Sequence, residues 1–78
     1  MIADKFKKAL AEMLQNGEYQ KCINNSKFFE RMRLKRFRKL ILKSGDISQI
    51  PIWAILYEIR STLLLKDIIT YMIIQDTK

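Results

Sequence analysis

Three residues punctuate this chain, and their positions decide most of what it can fold into. Its only glycines are Gly17 and Gly45 and its only proline is Pro51. Between these points the backbone meets no residue that forces a turn, and Leu, Ile, Lys, Arg and Glu fill the intervals. That combination favours a compact helical domain over a disordered tail. At 78 residues, with 49% of them apolar, the expectation is a single domain spanning 1–78, all-α, built as a small bundle of three to five helices. A core this small is marginal, because a short chain leaves much of its surface in water.

The first interval carries the clearest periodicity. Ile2, Phe6, Ala9, Leu10 and Met13 recur at helical spacing with Leu14 at their edge, while Lys5, Lys8, Glu12 and Gln15 fall opposite. This is the pattern of a helix packed on one side, over about 3–16. Gly17 then stands where a left-handed residue commonly ends a helix. A short helix at 18–24 is compatible with Tyr19, Cys22 and Ile23, before the turn chemistry of Asn24, Asn25 and Ser26.

A second long helix is expected over 27–43, with Ser26 as its cap and the Ser44-Gly45-Asp46 run as its end. Wound at 100° per residue, Phe29, Leu34, Phe37, Leu40 and Ile41 share a core-facing side, with Arg33 among them. Arg31, Lys35, Arg36, Arg38, Lys39 and Lys43 lie on the other side, interleaved with Phe28, Met32 and Leu42. Glu30 in the first turn and Lys43 in the last both suit the helix dipole.

The last third differs in kind. From Ile50 to Ile74 the apolar residues, rich in isoleucine, surround the helical circumference and do not form a stripe. Pro51 suits a first helical turn, with Asp46 or Ser48 as the capping residue, so helices are expected at about 50–60 and 62–75, broken at Ser61-Thr62. The alternative is an α+β chain with a C-terminal hairpin at 62–74, since isoleucine runs also suit strands. Lys66-Asp67 is a poor two-residue turn beside Asn-Gly or Asp-Gly, which favours the helix. A helix apolar all round must be covered all round, and a chain this short has few elements to cover it. Association is therefore expected, as a homo-oligomer or as a subunit of a larger assembly, with Trp53, Tyr57, Leu64, Ile68, Tyr71 and Met72 as the candidate apolar interface. Glu58 and Arg60 are its polar exits.

Charge supplies the other strong signal. The segment Lys27–Lys43 holds eight basic residues against the single acid Glu30, a surplus of seven; elsewhere seven basic and seven acidic residues cancel. Solubility alone would mix both signs over the surface. Arg31–Lys35, Lys35–Lys39 and Lys39–Lys43 are like-charged pairs one turn apart, each costing roughly a few tenths of a kcal/mol. An anion opposite them would relieve that cost.

Most chemistry is excluded by what the residues cannot assemble. Without histidine there is no serine–histidine or cysteine–histidine pair, and one cysteine, Cys22, supports neither a disulfide nor a zinc site. Cys22 itself reads as a small half-buried hydrophobe. Two isolated glycines cannot build a phosphate-binding loop. The eight acids are scattered singly, with no metal-loop or acid–base spacing. No enzyme activity, cofactor, metal or small-molecule substrate is expected. The longest uncharged run, Ile47–Tyr57, is too short to span a bilayer, and the first residues mix charges into their apolar pattern, unlike a signal peptide. A cytoplasmic, soluble protein is expected.

A helix-turn-helix rhythm, Ile50–Arg60, Ser61-Thr62 and Leu63–Gln75, fails on chemistry. Its second helix would offer Leu63, Leu64, Leu65, Ile68, Ile69, Met72 and Ile73 to a groove that wants polar side chains. The expectation that remains is a nucleic-acid-binding or ribonucleoprotein-associated protein touching phosphates through Arg31, Arg33, Lys35, Arg36, Arg38, Lys39 and Lys43. Two alternatives belong to other classes. One is an adaptor or inhibitor, of the type of small phage and plasmid accessory proteins, docking the basic helix on an acidic protein. The other is a structural subunit of a larger complex.

Overall fold

The computed structural model describes residues 2–77. It contains five α-helices: α1 (Ile2–Gln15), α2 (Glu18–Asn24), α3 (Phe28–Ser44), α4 (Ile52–Ile59) and α5 (Leu63–Asp76), with a 3-10 turn at Ile47–Gln49 between α3 and α4. The described residues hold no strand, so the C-terminal hairpin does not form. Lys66 and Asp67 lie inside α5, where they continue a helix and make no turn.

The punctuation works as local chemistry requires. Gly17 has φ +88° and Gly45 has φ +81°; both follow a helix end in the left-handed region that costs glycine nothing. The Asn16 side chain accepts a bond from the Glu18 backbone N–H, which closes the α1–α2 turn. Asp46 accepts from the backbone and hydroxyl of Ser48 and caps the 3-10 turn, and these bonds hold its carboxyl below the usual range. Ser26 does not cap α3. Lys27 occupies the cap position, while the Ser26 hydroxyl donates to the Cys22 carbonyl and finishes α2. Pro51 stands one position ahead of α4 rather than within it. Ser61 takes φ +59° at the corner between α4 and α5.

The helices pack as a chain of neighbours: α1 against α2 and α5, α2 against α3 and α5, and α4 between α3 and α5. Their shared core contains Phe6, Leu10 and Met13 of α1, Tyr19, Cys22 and Ile23 of α2, Leu34, Phe37 and Ile41 of α3, Ile55 and Ile59 of α4, and Leu64 and Ile68 of α5. Tyr19 is the polar pin of this core. Its hydroxyl donates to the Leu34 carbonyl at 2.6 Å, which satisfies a buried group and fixes α2 against the middle of α3. Burial pushes its ionisation well above the ordinary tyrosine range, against a smaller lowering by Arg38. Cys22 is fully buried rather than half-buried. No described helix is long and apolar enough to cross a membrane.

Candidate functional site

On α3 only Leu34, Phe37 and Ile41 enter the core. Phe29 and Leu40, expected there, are exposed, Phe29 to 80%. The reason is geometric. With α2 and α4 as its neighbours, α3 buries one arc about three residues wide. Phe29 and Leu40 lie beyond its edge, roughly 90 to 110° from the arc's centre at 100° per residue.

The basic residues divide into two kinds. Arg33 is half-buried, and its guanidinium donates to the carbonyls of Glu58 at 2.9 Å and Arg60 at 3.3 Å. It thereby supplies donors to carbonyls at the end of α4, a cation where the helix dipole favours one. Arg38 sits over the Tyr19 ring, 5.7 Å from its centroid, and donates to the Gln20 side chain at 2.7 Å. Arg31 donates to the Ser26 carbonyl at 3.0 Å. Arg33 and Arg38 hold α3 to α4 and α2, while Arg31 ties its first turns to the connector before it.

Lys35, Arg36, Lys39 and Lys43 behave otherwise. All four are exposed, and among the described residues none forms an ion pair or a side-chain hydrogen bond; the ion pair present there, Lys5–Asp76 at 3.8 Å, is on other helices. Lys35, Lys39 and Lys43 stand one turn apart, about 6 Å along the axis. Phe28, Met32 and Leu42 share this outward face. The site is thus a cationic row with apolar side chains set into it.

The other candidate surface lies elsewhere. Leu64 and Ile68 are fully buried and present nothing to a partner. Tyr71 and Met72 are half-buried against the core, with Tyr71 accepting a bond from the Asn16 side chain. Trp53 and Tyr57 are exposed on α4, and Arg60 covers the Tyr57 ring at 4.1 Å. Beside them runs an apolar groove of about 530 Å³, between the start of α1, α4 and α5. Ile52, Leu65 and Met72 form its partly buried floor, and Ile2, Leu56, Ile69 and Ile73 its exposed walls; its charged members are Lys5 and Asp76, which pair with each other. The all-round apolarity of 50–74 signals that something there stays uncovered. It does not say which residues, because a helix with no polar side has no arc to choose. Ile2, expected to face the core, is drawn into the groove wall at the first turn of α1.

Among the described residues no group of acidic, histidine or cysteine side chains is gathered to hold a metal. Comparison with protein families, curated proteins and solved structures yields no match. The fold and its surfaces therefore define the chain by class alone: a five-helix bundle carrying one basic helix with an unpaired outer row.

Proposed function

We propose that this is a nucleic-acid-binding protein that grips phosphates through the outward face of α3, without reading bases. The observation that supports the reading is the separation of the α3 cations. Arg31, Arg33 and Arg38 are engaged within the fold, whereas Lys35, Arg36, Lys39 and Lys43 extend into solvent with no partner among the described residues. Four aligned cations release condensed counterions when they meet a polyanion, a gain independent of sequence. The reading entails an intracellular setting, where Cys22 remains a thiol.

Titrating a labelled oligonucleotide at rising salt tests it. With four phosphate contacts, log–log slopes of about −3 to −4 are expected. Affinity that stays constant between low and moderate salt overturns the reading. Retention of one acidic protein after nuclease treatment would put a protein in place of the nucleic acid.

The groove favours a second element of the reading, that the chain works as a homodimer. Two copies of a chain with net charge +7 can meet only where that charge is absent, and the groove face carries one internally paired lysine. Its ridges and floor are on the same patch, as a two-fold interface requires. Trp53 and Tyr57, exposed on α4, add aromatic side chains of the kind that anchor interfaces. Sedimentation of the purified chain should give a dimer, and a monomer at about 100 µM protein overturns this element.

A further inference from the structure

Resting on the phosphate-binding reading of α3, we infer that the nucleic acid it takes is single-stranded, its unpaired bases stacking on Phe28 and Phe29. These two residues open the helix, 66% and 80% exposed. Their rings meet edge to face, 77° apart in plane with centroids 5.7 Å apart. Met32 stands exposed one turn further on. Neither ring belongs to the core and neither lines the groove, so the fold does not account for them.

Their setting selects the partner. Phe28, Met32, Lys35, Lys39 and Lys43 recur every three or four residues along the outward face, so the rings stand at one end of the cationic row. From Phe28 to Lys43 the helix runs about 22 Å, enough for about six nucleotides at a stacked spacing of about 3.4 Å. A paired duplex keeps its base faces closed, and a side chain must unstack them to enter. A single strand offers those faces freely, and every base has one, which keeps the site sequence-tolerant. An anionic bilayer would suit apolar residues gathered on one side of the helix and cations on the other. Here both kinds share one side.

The test uses the intact chain with two fluorescent probes, a thymidine dodecamer and a mixed-sequence blunt duplex of equal length, and compares wild type with F28A/F29A. Wild type is expected to prefer the single strand by about tenfold or more. The double variant should lose roughly tenfold per ring on the single strand, hold its duplex affinity within about twofold, and keep its salt slope. Upfield shifts of the Phe28 and Phe29 ring protons on adding the dodecamer report stacking directly, and the double variant should keep wild-type helicity because the rings lie outside the core. Equal affinity for both probes, or preference for the duplex, with the steep salt slope retained, overturns the single-strand inference and leaves the phosphate reading standing. Binding to neither probe overturns both. Salt-sensitive binding to phosphatidylserine vesicles in place of the oligonucleotides also overturns both.

Discussion

The outer face of α3 and the groove between α1, α4 and α5 both expose large apolar side chains, and they differ in what stands between those side chains. On α3, Phe28, Phe29, Met32, Leu40 and Leu42 alternate with free cations. In the groove, Ile2, Leu56, Ile69 and Ile73 adjoin one another, and the charges present, Lys5 and Asp76, neutralise each other. An apolar partner laid on the groove buries no unpaired charge. Laid on α3 it would bury several, at several kcal/mol per ion, so α3 must meet water or an anion. On the proposed function, interleaving rather than hydrophobicity is what separates the anion-facing surface from the self-facing one. Each face can be broken without the other.

The largest effect should come from the cations. Reversing all four, K35E/R36E/K39E/K43E, is expected to lower oligonucleotide affinity by about a thousandfold or more at ~50 mM salt, and the neutral glutamine set should flatten the salt slope by about 3. Sedimentation should still report the dimer. Loss of both properties together would show the two faces to be one.

Adjacent residues of α5 make the next test. Ile68 is fully buried and Ile69 is half-exposed on the groove wall. Ile68→Ala should cost about 2–5 kcal/mol in urea unfolding, by the lost burial and the cavity left behind. Ile69→Asp should leave stability within about 1 kcal/mol, measured at protein concentrations where wild type is monomeric, and should abolish the dimer. Oligonucleotide binding per monomer should survive in the second variant.

How these faces relate to the sequence depends on the contrast along each helix. In α1 the apolar and charged residues separate cleanly, and Phe6, Ala9, Leu10 and Met13 all reach the core as the pattern implies. Gly17, Gly45 and the Ser61-Thr62 corner mark helix boundaries because their backbone chemistry is local. The surplus charge of 27–43 was equally legible, since counting needs no geometry. What a wheel could not supply was the width of the buried arc. Phe29 and Leu40 read as core because nothing local states that α3 packs chiefly against α2 and α4. The wheel does set Arg33 on the core-facing side and Arg36 opposite, but it cannot name what Arg33 bonds. The two arginines differ in bonding because of the α4 carbonyls, which arrive from 25 residues away.

That distinction is testable. Arg33→Ala should destabilise the fold by about 1–3 kcal/mol, by removing charged donors from the Glu58 and Arg60 carbonyls. Arg36→Ala should change stability by less than about 0.5 kcal/mol and weaken oligonucleotide binding a few-fold. Equal stability losses would return Arg36 to the fold and shorten the free row.

The smallest effect isolates the core from both faces. Burial, reinforced by the Asp67 carboxylate and partly opposed by the Ser26 hydroxyl, pushes the Cys22 thiol up to about 12 from an ordinary 9.0. The folded state thus holds the thiol proton more tightly than the unfolded chain does. The resulting stability is fully present below pH 9 and is lost as pH rises from there through about 12. Between pH 8 and 10 the loss should be about 1 kcal/mol. Tyr19, shifted the same way by burial, adds to it at higher pH. Urea unfolding across this range should show the decline in wild type and a shallower one in Cys22→Ala, whose starting stability is separately lowered by the missing side chain. The quadruple cation variant and Ile69→Asp should both keep the wild-type contribution, since neither alters the surroundings of Cys22. A Cys22→Ala profile as steep as wild type would assign the alkaline loss to Tyr19 or to the lysines of α3, and would tie core stability back to the charged face.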